Sequence, residues 1–416
     1  MKKINILIIL GLIPFNVTIC LGEVQKNNNF WERDSLTGDW NGLRSKLRDN
    51  GFDLKIIYTG EISSVRRGGL QKKTIFLDNK GIVLSLDANK LFNWQNAEFY
   101  LYFLGNNGDS PTKYIGDIQA VSSIDAFPTW KLYEAWYQQY FFDNKLSLKF
   151  GLYDLNSEFD VMDSCSIFHN GAFGMGVDIS QSGLNGPSIF PVTSLGLRIK
   201  YISQCNDSKS YYSQLAILDG VSGNPDNPAG THIMLKSSDG LLLVNETGYI
   251  STKKYYKKFA IGIWYYTANT SEILITTNTI YRKNKGFYLL AEHQIFKGKN
   301  TKNQGLTAFL RIGTADKYVN QLDFYMRFGL NYTGLIQGRD NDQLAIGFTY
   351  AHNSKQYMKA NEYNLAYAET VIEIVYRFQI TPWFAIKPDF QYVINPGTSK
   401  QIKNALVLGF RTEIIL

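Results

Sequence analysis

From residue 52 onward, apolar side chains recur at every second position in short segments, and polar or charged residues fill the positions between. In 370–380, Ile372, Ile374, Tyr376, Phe378 and Ile380 share one face, while Glu373, Arg377 and Gln379 share the other. In 383–393, Phe384, Ile386, Phe390 and Tyr392 oppose Lys387, Asp389 and Gln391. In 405–416, Leu406, Leu408, Phe410, Ile414 and Leu416 oppose Gly409, Arg411 and Glu413. A period of two is the repeat of a β-strand whose two faces meet different surroundings. The same test marks sixteen segments: 52–65, 80–92, 96–105, 131–140, 145–152, 193–203, 210–219, 241–251, 259–267, 286–295, 305–313, 322–332, 342–351, 370–380, 383–393 and 405–416. Segments 131–140, 210–219 and 259–267 carry aromatics on both faces and alternate least clearly.

The links alternate too. Those after segments 2, 4, 6, 8, 10, 12 and 14 are short, as at 93–95, 141–144 and Thr381-Pro382. Those after segments 1, 3, 5, 7, 9, 13 and 15 are longer, and the one after segment 5 runs over 153–192. The link after segment 11 fits neither class. Short turns on one side and long loops on the other, around an even number of ~10-residue strands, describe a transmembrane barrel. Both termini then fall on the periplasmic, short-turn side. A soluble sandwich or propeller would also alternate, but its apolar faces would point inward and its loops would show no such order. The expected fold is all-β: a sixteen-stranded antiparallel transmembrane β-barrel over 52–416, with no separate soluble domain.

Composition agrees. The chain holds 27 Tyr, 26 Phe and 35 Gly, and aromatic rings pack well on a pleated surface. A mean hydropathy of −0.19 is too polar for a helical membrane protein. Beyond the N-terminus no run approaches the ~20 apolar residues that span a bilayer as a helix. The net charge of +7 is spread along the chain, so nucleic acid is not an expected partner.

Lys2, Lys3, the apolar stretch 4–13 and Cys20-Leu21-Gly22 read as a cleaved secretory leader over 1–22. Val17-Thr18-Ile19-Cys20 also allows a lipoprotein site, against which the bulk of Ile19 argues. Cleavage leaves Cys165 and Cys205, which fall at different heights of the barrel and are not expected to pair. A basic leader on an all-β body suits the Gram-negative outer membrane. Residues 23–51 form a periplasmic segment in which Thr37 or Asp39 caps a short helix. Trp40, Leu43 and Leu47 share one of its faces, with Arg44, Lys46 and Arg48 around the rest. It either narrows the periplasmic mouth or docks on the barrel rim.

Particular stretches carry more than pattern. One is Leu36-Thr37-Gly38-Asp39-Trp40-Asn41-Gly42-Leu43-Arg44. Another starts at Glu369-Thr370-Val371-Ile372-Glu373 and runs through Pro382-Trp383 and Pro388-Asp389-Phe390-Gln391-Tyr392-Val393-Ile394-Asn395-Pro396-Gly397 to Asn404-Ala405-Leu406-Val407-Leu408-Gly409-Phe410-Arg411. Both resemble the carbohydrate-selective porin (OprB) family. So does Gly151-Leu152-Tyr153-Asp154-Leu155-Asn156-Ser157-Glu158-Phe159, which looks like that family's fifth-strand exit into an inward loop. The resemblance implies a sixteen-stranded outer-membrane channel that admits sugars by diffusion. It departs from the family where Asn41 replaces a usual Gly, where Arg66-Arg67-Gly68-Gly69 is more basic, and where Leu416 ends the chain instead of an aromatic.

If the apolar faces meet lipid, the others line the pore. The inward basic set is Lys55, Lys145, Lys149, Arg198, Lys200, Arg311, Arg327, Arg377, Lys387 and Arg411. The acidic set is Glu61, Asp87, Glu98, Glu134, Glu246, Glu292, Asp323, Glu373, Asp389 and Glu413. An anion channel would line its narrow part with one sign. Balanced charge offers paired donors and acceptors for neutral polyhydroxylated solutes, or simply hydrates the lumen and pairs across strands. The link 153–192 is the expected constriction. It holds Asp154, Asn156, Glu158, Asp160, Asp163, His169, Asn170 and Asp178, with Phe159, Phe168 and Phe173 between them. The transport path is therefore placed on Asp154, Asn156, Glu158, Arg198, Arg327, Arg377, Glu373, Asp389 and Arg411. Asn156 and Glu158 are expected to bind sugar; the competing reading is that Glu158 anchors the loop to Arg198.

His169, His232, His293 and His352 lack metal-ligand spacing, and no nucleophile motif accompanies them. Asn224, Asp226 and Asn227 could hold calcium or form an ordinary turn. No catalysis, cofactor or metal is expected. The expected partners are small sugars, the lipid bilayer with lipopolysaccharide, the barrel-assembly machinery and, as one option beside a monomer, a homotrimer. The alternative function is a structural or adhesive barrel acting through its outer loops.

Overall fold

In a computed structural model that describes residues 29–206, 208–274, 279–298 and 304–416, sixteen antiparallel strands close into one barrel. The leader lies outside the described residues. The strands are β1 Phe52–Gly69, β2 Thr74–Asp87, β3 Ala97–Gly108, β4 Thr129–Phe141, β5 Leu146–Tyr153, β6 Ser194–Asn206, β7 Lys209–Asp219 and β8 Leu241–Ser251. They continue with β9 Lys257–Ser271, β10 Tyr281–Lys297, β11 Gly305–Ala315, β12 Leu322–Thr333, β13 Gln343–Asn353, β14 Ala368–Thr381, β15 Phe384–Ile394 and β16 Lys403–Ile415. Each pairs with its sequence neighbours, and β1 closes on β16 from Ile57 opposite Ile415 to Gly69 opposite Lys403.

The burial pattern is inside out. Leu408 and Phe410 are 43% and 41% exposed, while Glu373 is fully buried and Arg411 is 1% exposed. Water would not tolerate that arrangement along every strand; a hydrocarbon surround requires it. Sixteen strands enclose more space than wall side chains fill, so the apolar core sits in the lumen. Phe159, Met162, Phe168, Phe173, Met175 and Ile179, from the long link between β5 and β6, pack there against Tyr212, Leu242, Trp264, Tyr288, Leu290 and Phe309 of the wall.

The second strand corrects its sequence-based bounds. Pairing begins at Thr74 and stops at Asp87, whose side chain accepts hydrogen bonds from the backbone of Asn89 and Lys90 and caps a short helix, Ala88–Phe92. Capping ended a strand that alternation alone would have carried to residue 92. The link after β1 is consequently only 70–73, because β1 and β2 extend upward as a wall. The link 334–342 after β12 is longer than 316–321 after β11, so the length rule fails at those places.

The N-terminal helix, α1 Leu43–Asp49, docks on the rim through its arginine, not its apolar face. Arg44 is buried, whereas Leu43 is 51% exposed. Its guanidinium donates to Leu416 O at 2.8 Å and to Gly38 O at 3.2 Å, and Leu36 N donates to Ile415 O at 2.7 Å. Carbonyls at the end of a terminal strand have no ladder partner, and a donor that satisfies them outweighs the burial of one leucine. Asn41 takes a left-handed conformation, φ 56°, which explains why glycine suits that position.

Candidate functional site

Residues 154–193 leave β5, cross the lumen and return at β6, clamped to the wall along the way. At the root, Asp154 accepts from Tyr133 Oη at 2.7 Å and from Asn156 N at 2.8 Å, and its own N–H donates to Glu134 at 3.0 Å. Asn156 stays within the loop, donating to Phe159 O at 3.0 Å. Glu158 meets Arg198 with both oxygens, at 2.7 and 2.9 Å, and has Lys149 at 3.5 Å and Lys200 at 3.7 Å. Burial would raise its carboxyl, but these three cations outweigh it and hold Glu158 well below the usual carboxylate range.

Across the lumen, Asp160 is fully buried between two arginines, Arg311 at 2.9 Å and Arg327 at 3.1 Å. Arg311 also holds Asp178 at 2.5 Å, and Gly176 N donates to Asp160 at 2.9 Å. Wall carboxylates bind loop amides in the same way. Glu246 accepts from Asp160 N at 2.9 Å, Glu292 from Ser164 N at 2.8 Å, and Glu373 from His169 N at 2.5 Å and Asn170 N at 3.1 Å. Two backbone N–H groups converging on one carboxylate form a charge-assisted clamp. His169 is fully buried near Asp389, at 3.7 Å, and Glu61, at 3.9 Å. Burial, with Arg411 and Lys387 nearby, pushes its ring well below the ordinary histidine range, so it is neutral.

A second loop joins it. Residues 109–128, after β3, also fold inward: Ile118 N and Gln119 N donate to Glu369, Gln391 donates to Val121 O, and Arg411 binds Glu61 and Ser123. Gly171 N to Ala120 O, 2.7 Å, and Ser123 N to His169 O, 2.6 Å, join the two loops. The lumen is thus narrowed by two loops, where length had singled out one.

Of the residues expected on the path, Asp154, Asn156, Glu158 and Arg198 come together at the root. Glu373, Asp389 and Arg411 gather around His169 on the opposite wall, and Arg327 sits under Asp160. Arg377 stands apart with Lys387, both on Glu413 at 3.1 and 3.0 Å. Most of the inward charges are therefore paired beneath the loops, and do not line open solvent. Lys145 lies in the turn between β4 and β5, and Asp87 caps its helix. Asn224 and Asp226 form a turn, with Asp226 N on Asn224 Oδ1 at 3.1 Å. Cys165 carries a buried free thiol.

Along β3 to β6, the side chains of Glu98, Trp136, Tyr140, Glu158 and Lys200 keep some exposure, as Lys55, Asp323 and Arg377 do elsewhere on the wall. Trp136 stacks on Tyr100 with ring centres 4.7 Å apart, and the Lys149 ammonium lies 4.1 Å from the centre of the Trp136 ring. Sequence reading missed Trp136 because a register shift between Tyr102 and Phe103 puts both Tyr133 and Glu134 inside, so β4 switches face midway. Glu369 was missed too, although it shares the parity of Glu373.

Residues 73–416 match the family model described as carbohydrate-selective porin, OprB family. The chain belongs to that family. Porin B of Pseudomonas aeruginosa is 25% identical over 456 residues, covering all of this chain and 97% of its own. The putative porin QuiX of Acinetobacter baylyi is 21% identical, over 97% of this chain and 98% of its own. The high-pH structure of Pseudomonas putida OprB shares the fold, with a TM-score of 0.83 and 24% identity over 93% of this chain and all of that one. This OprB-family barrel is an outer-membrane porin. Its outer face is apolar, and two of its loops pack inside the lumen.

Proposed function

We propose that neutral sugars diffuse along the β3–β6 side of the lumen, past Trp136. What supports this is a continuous ladder of donors and acceptors beside an aromatic face. Tyr140 Oη and Gln138 Nε2 both donate to Glu98, at 2.9 and 3.1 Å; Arg198 donates to Gln138 at 2.5 Å and then to Glu158. Such a ladder exchanges hydroxyls without retaining them, and the Trp136 ring faces sugar C–H surfaces. Because the cations are already paired with carboxylates, ionic selectivity stays mild. The step is passive passage, with no catalysis. The same reading has the chain inserted by the barrel-assembly machinery beside lipopolysaccharide, as a monomer or a homotrimer.

Swelling of liposomes loaded with the purified protein tests it. Neutral monosaccharides should enter, and Trp136→Ala should weaken block of single-channel current by sugar while ion conductance changes little. A barrel that admits no sugar would instead serve a structural or adhesive role.

A further inference from the structure

We propose that the outer β1–β2 hairpin is a docking site for a phosphate-bearing lipid headgroup of the outer leaflet, an inference that rests on the outer-membrane placement of the barrel. Arg66, Arg67, Lys72 and Lys73 are all exposed, and the chain from Ile62 to Leu77 contains no Asp or Glu. Nearby Lys80 and Lys113 are neutralised by Asp78 and Asp109, each at 2.9 Å. Among the described residues, none of the four hairpin cations enters such a pair. Lys403, also exposed, stands opposite Gly69 and adds a fifth charge.

The hairpin is held in place. Leu70 N and Gln71 N donate to Tyr114 O at 2.8 and 2.9 Å, Val65 N donates to Lys73 O at 2.8 Å, and Ser64 bonds Thr74 at 2.7 Å. Gly68, at φ +65°, lies so close to β16 that a Cβ would fall 1.9 Å from Asn404 O. A cationic platform fixed in this way loses little freedom when it binds.

What lies beneath the charges identifies the ligand as an amphiphile. Arg67 stands opposite Leu406, on the lipid-facing side of β16. Directly below, Ile62, Phe76, Leu408 and Phe410 are 41–51% exposed. A free anion would use only the cations. A phosphorylated lipid uses both surfaces, with phosphate oxygens on the guanidinium forks and acyl chains on the wall.

Native mass spectrometry of the full barrel in detergent tests this, with bisphosphorylated lipid A, phosphate-free lipid A, and inorganic phosphate as competitor. One surface charge is worth about fivefold in anionic-lipid affinity. The variant Arg66→Ser/Arg67→Ser/Lys72→Ser/Lys73→Ser should therefore retain bisphosphorylated lipid A at least tenfold less than wild type. The control Lys253→Ser/Lys254→Ser, in a periplasmic turn, should match wild type, and phosphate-free lipid A should bind weakly to all three. Unchanged retention by the quadruple variant, with normal heat-modifiable migration, overturns the proposal. So does an equal loss in the periplasmic control, or displacement of lipid A by equimolar inorganic phosphate, which would make the hairpin a free-anion site. If the quadruple variant does not fold, Lys72→Ser/Lys73→Ser is read in the same way, with at least a fivefold loss expected and an unchanged value overturning the idea.

Discussion

Glu158 and Arg198 face each other as a two-point pair, Oε2 to Nε at 2.7 Å and Oε1 to Nη2 at 2.9 Å, and that pair ties the root of the longest loop to β6. The anchoring role, one of two readings open at the level of sequence, is thus the one with direct contacts. Removing one partner of a buried pair leaves the other charge stranded, at a cost of about 3 kcal/mol. Glu158→Ala should give a larger and noisier single-channel conductance, with sugar block falling as a consequence. Asn156→Ala, which loses a bond inside the loop, should change both much less. Equal conductance in wild type and Glu158→Ala would show that the loop root does not control the pore.

Asp160 is the second fixed point. Asp160→Asn leaves Arg311 with Asp178 as its carboxylate partner and Arg327 with backbone carbonyls alone, and should free the far end of the loop at a cost of about 3 kcal/mol. Hydrogen exchange at residues 160–180 should accelerate while strand amides stay protected. Uniform exchange across loop and strands would place the damage in the barrel itself.

Acidification should tighten the loop root before it opens it. Burial raises the Asp154 carboxyl from the ordinary aspartate range to about 6, so the fold favours its protonated form. Its contribution to stability is fully present below the unfolded value and is lost as pH rises through about 6. Glu158 is depressed, so its anchor is present above the ordinary carboxylate value and fails only as pH falls well below 4.5. Conductance noise should fall or hold steady between pH 7 and 4.5 and rise only under more acid conditions. A channel that flickers open at pH 5 contradicts this assignment. Asp154→Asn should remove the step near pH 6.

Arg44→Ala should detach the N-terminal helix from β16, leaving Leu416 O without its side-chain donor while Gly38 O keeps only Ser35. A lost hydrogen bond to a charged group is worth about 1.5–3 kcal/mol. The temperature at which the folded band converts to the unfolded one on a gel should drop by several degrees, while conductance is unchanged. A conductance increase would mean that the segment closes the periplasmic mouth.

All sixteen strands, their antiparallel order and the face each turns to lipid were present in the alternation itself, because a period of two needs no partner to be visible. The exceptions have local causes: Asp87 caps a helix where Leu86 would have continued a strand, and the shift at Tyr102 and Phe103 turns β4 over. The inward charges could be counted along the chain, but their pairing could not. Asp160 reaches Arg311 and Arg327 from more than a hundred residues away, and Glu369 meets Ile118 across a comparable gap. Only the closed barrel brings such groups to 2.9–3.1 Å, and burial then makes each carboxylate bind whichever donor the loops present. Sequence by itself determined a membrane barrel with a polar interior. Tertiary structure decided that two loops fill it, that most of its charges hold those loops, and that Glu98, Glu158 and Lys200 on the side from β3 to β6 stay half open while Glu134, Lys149 and Arg198 beside them are buried.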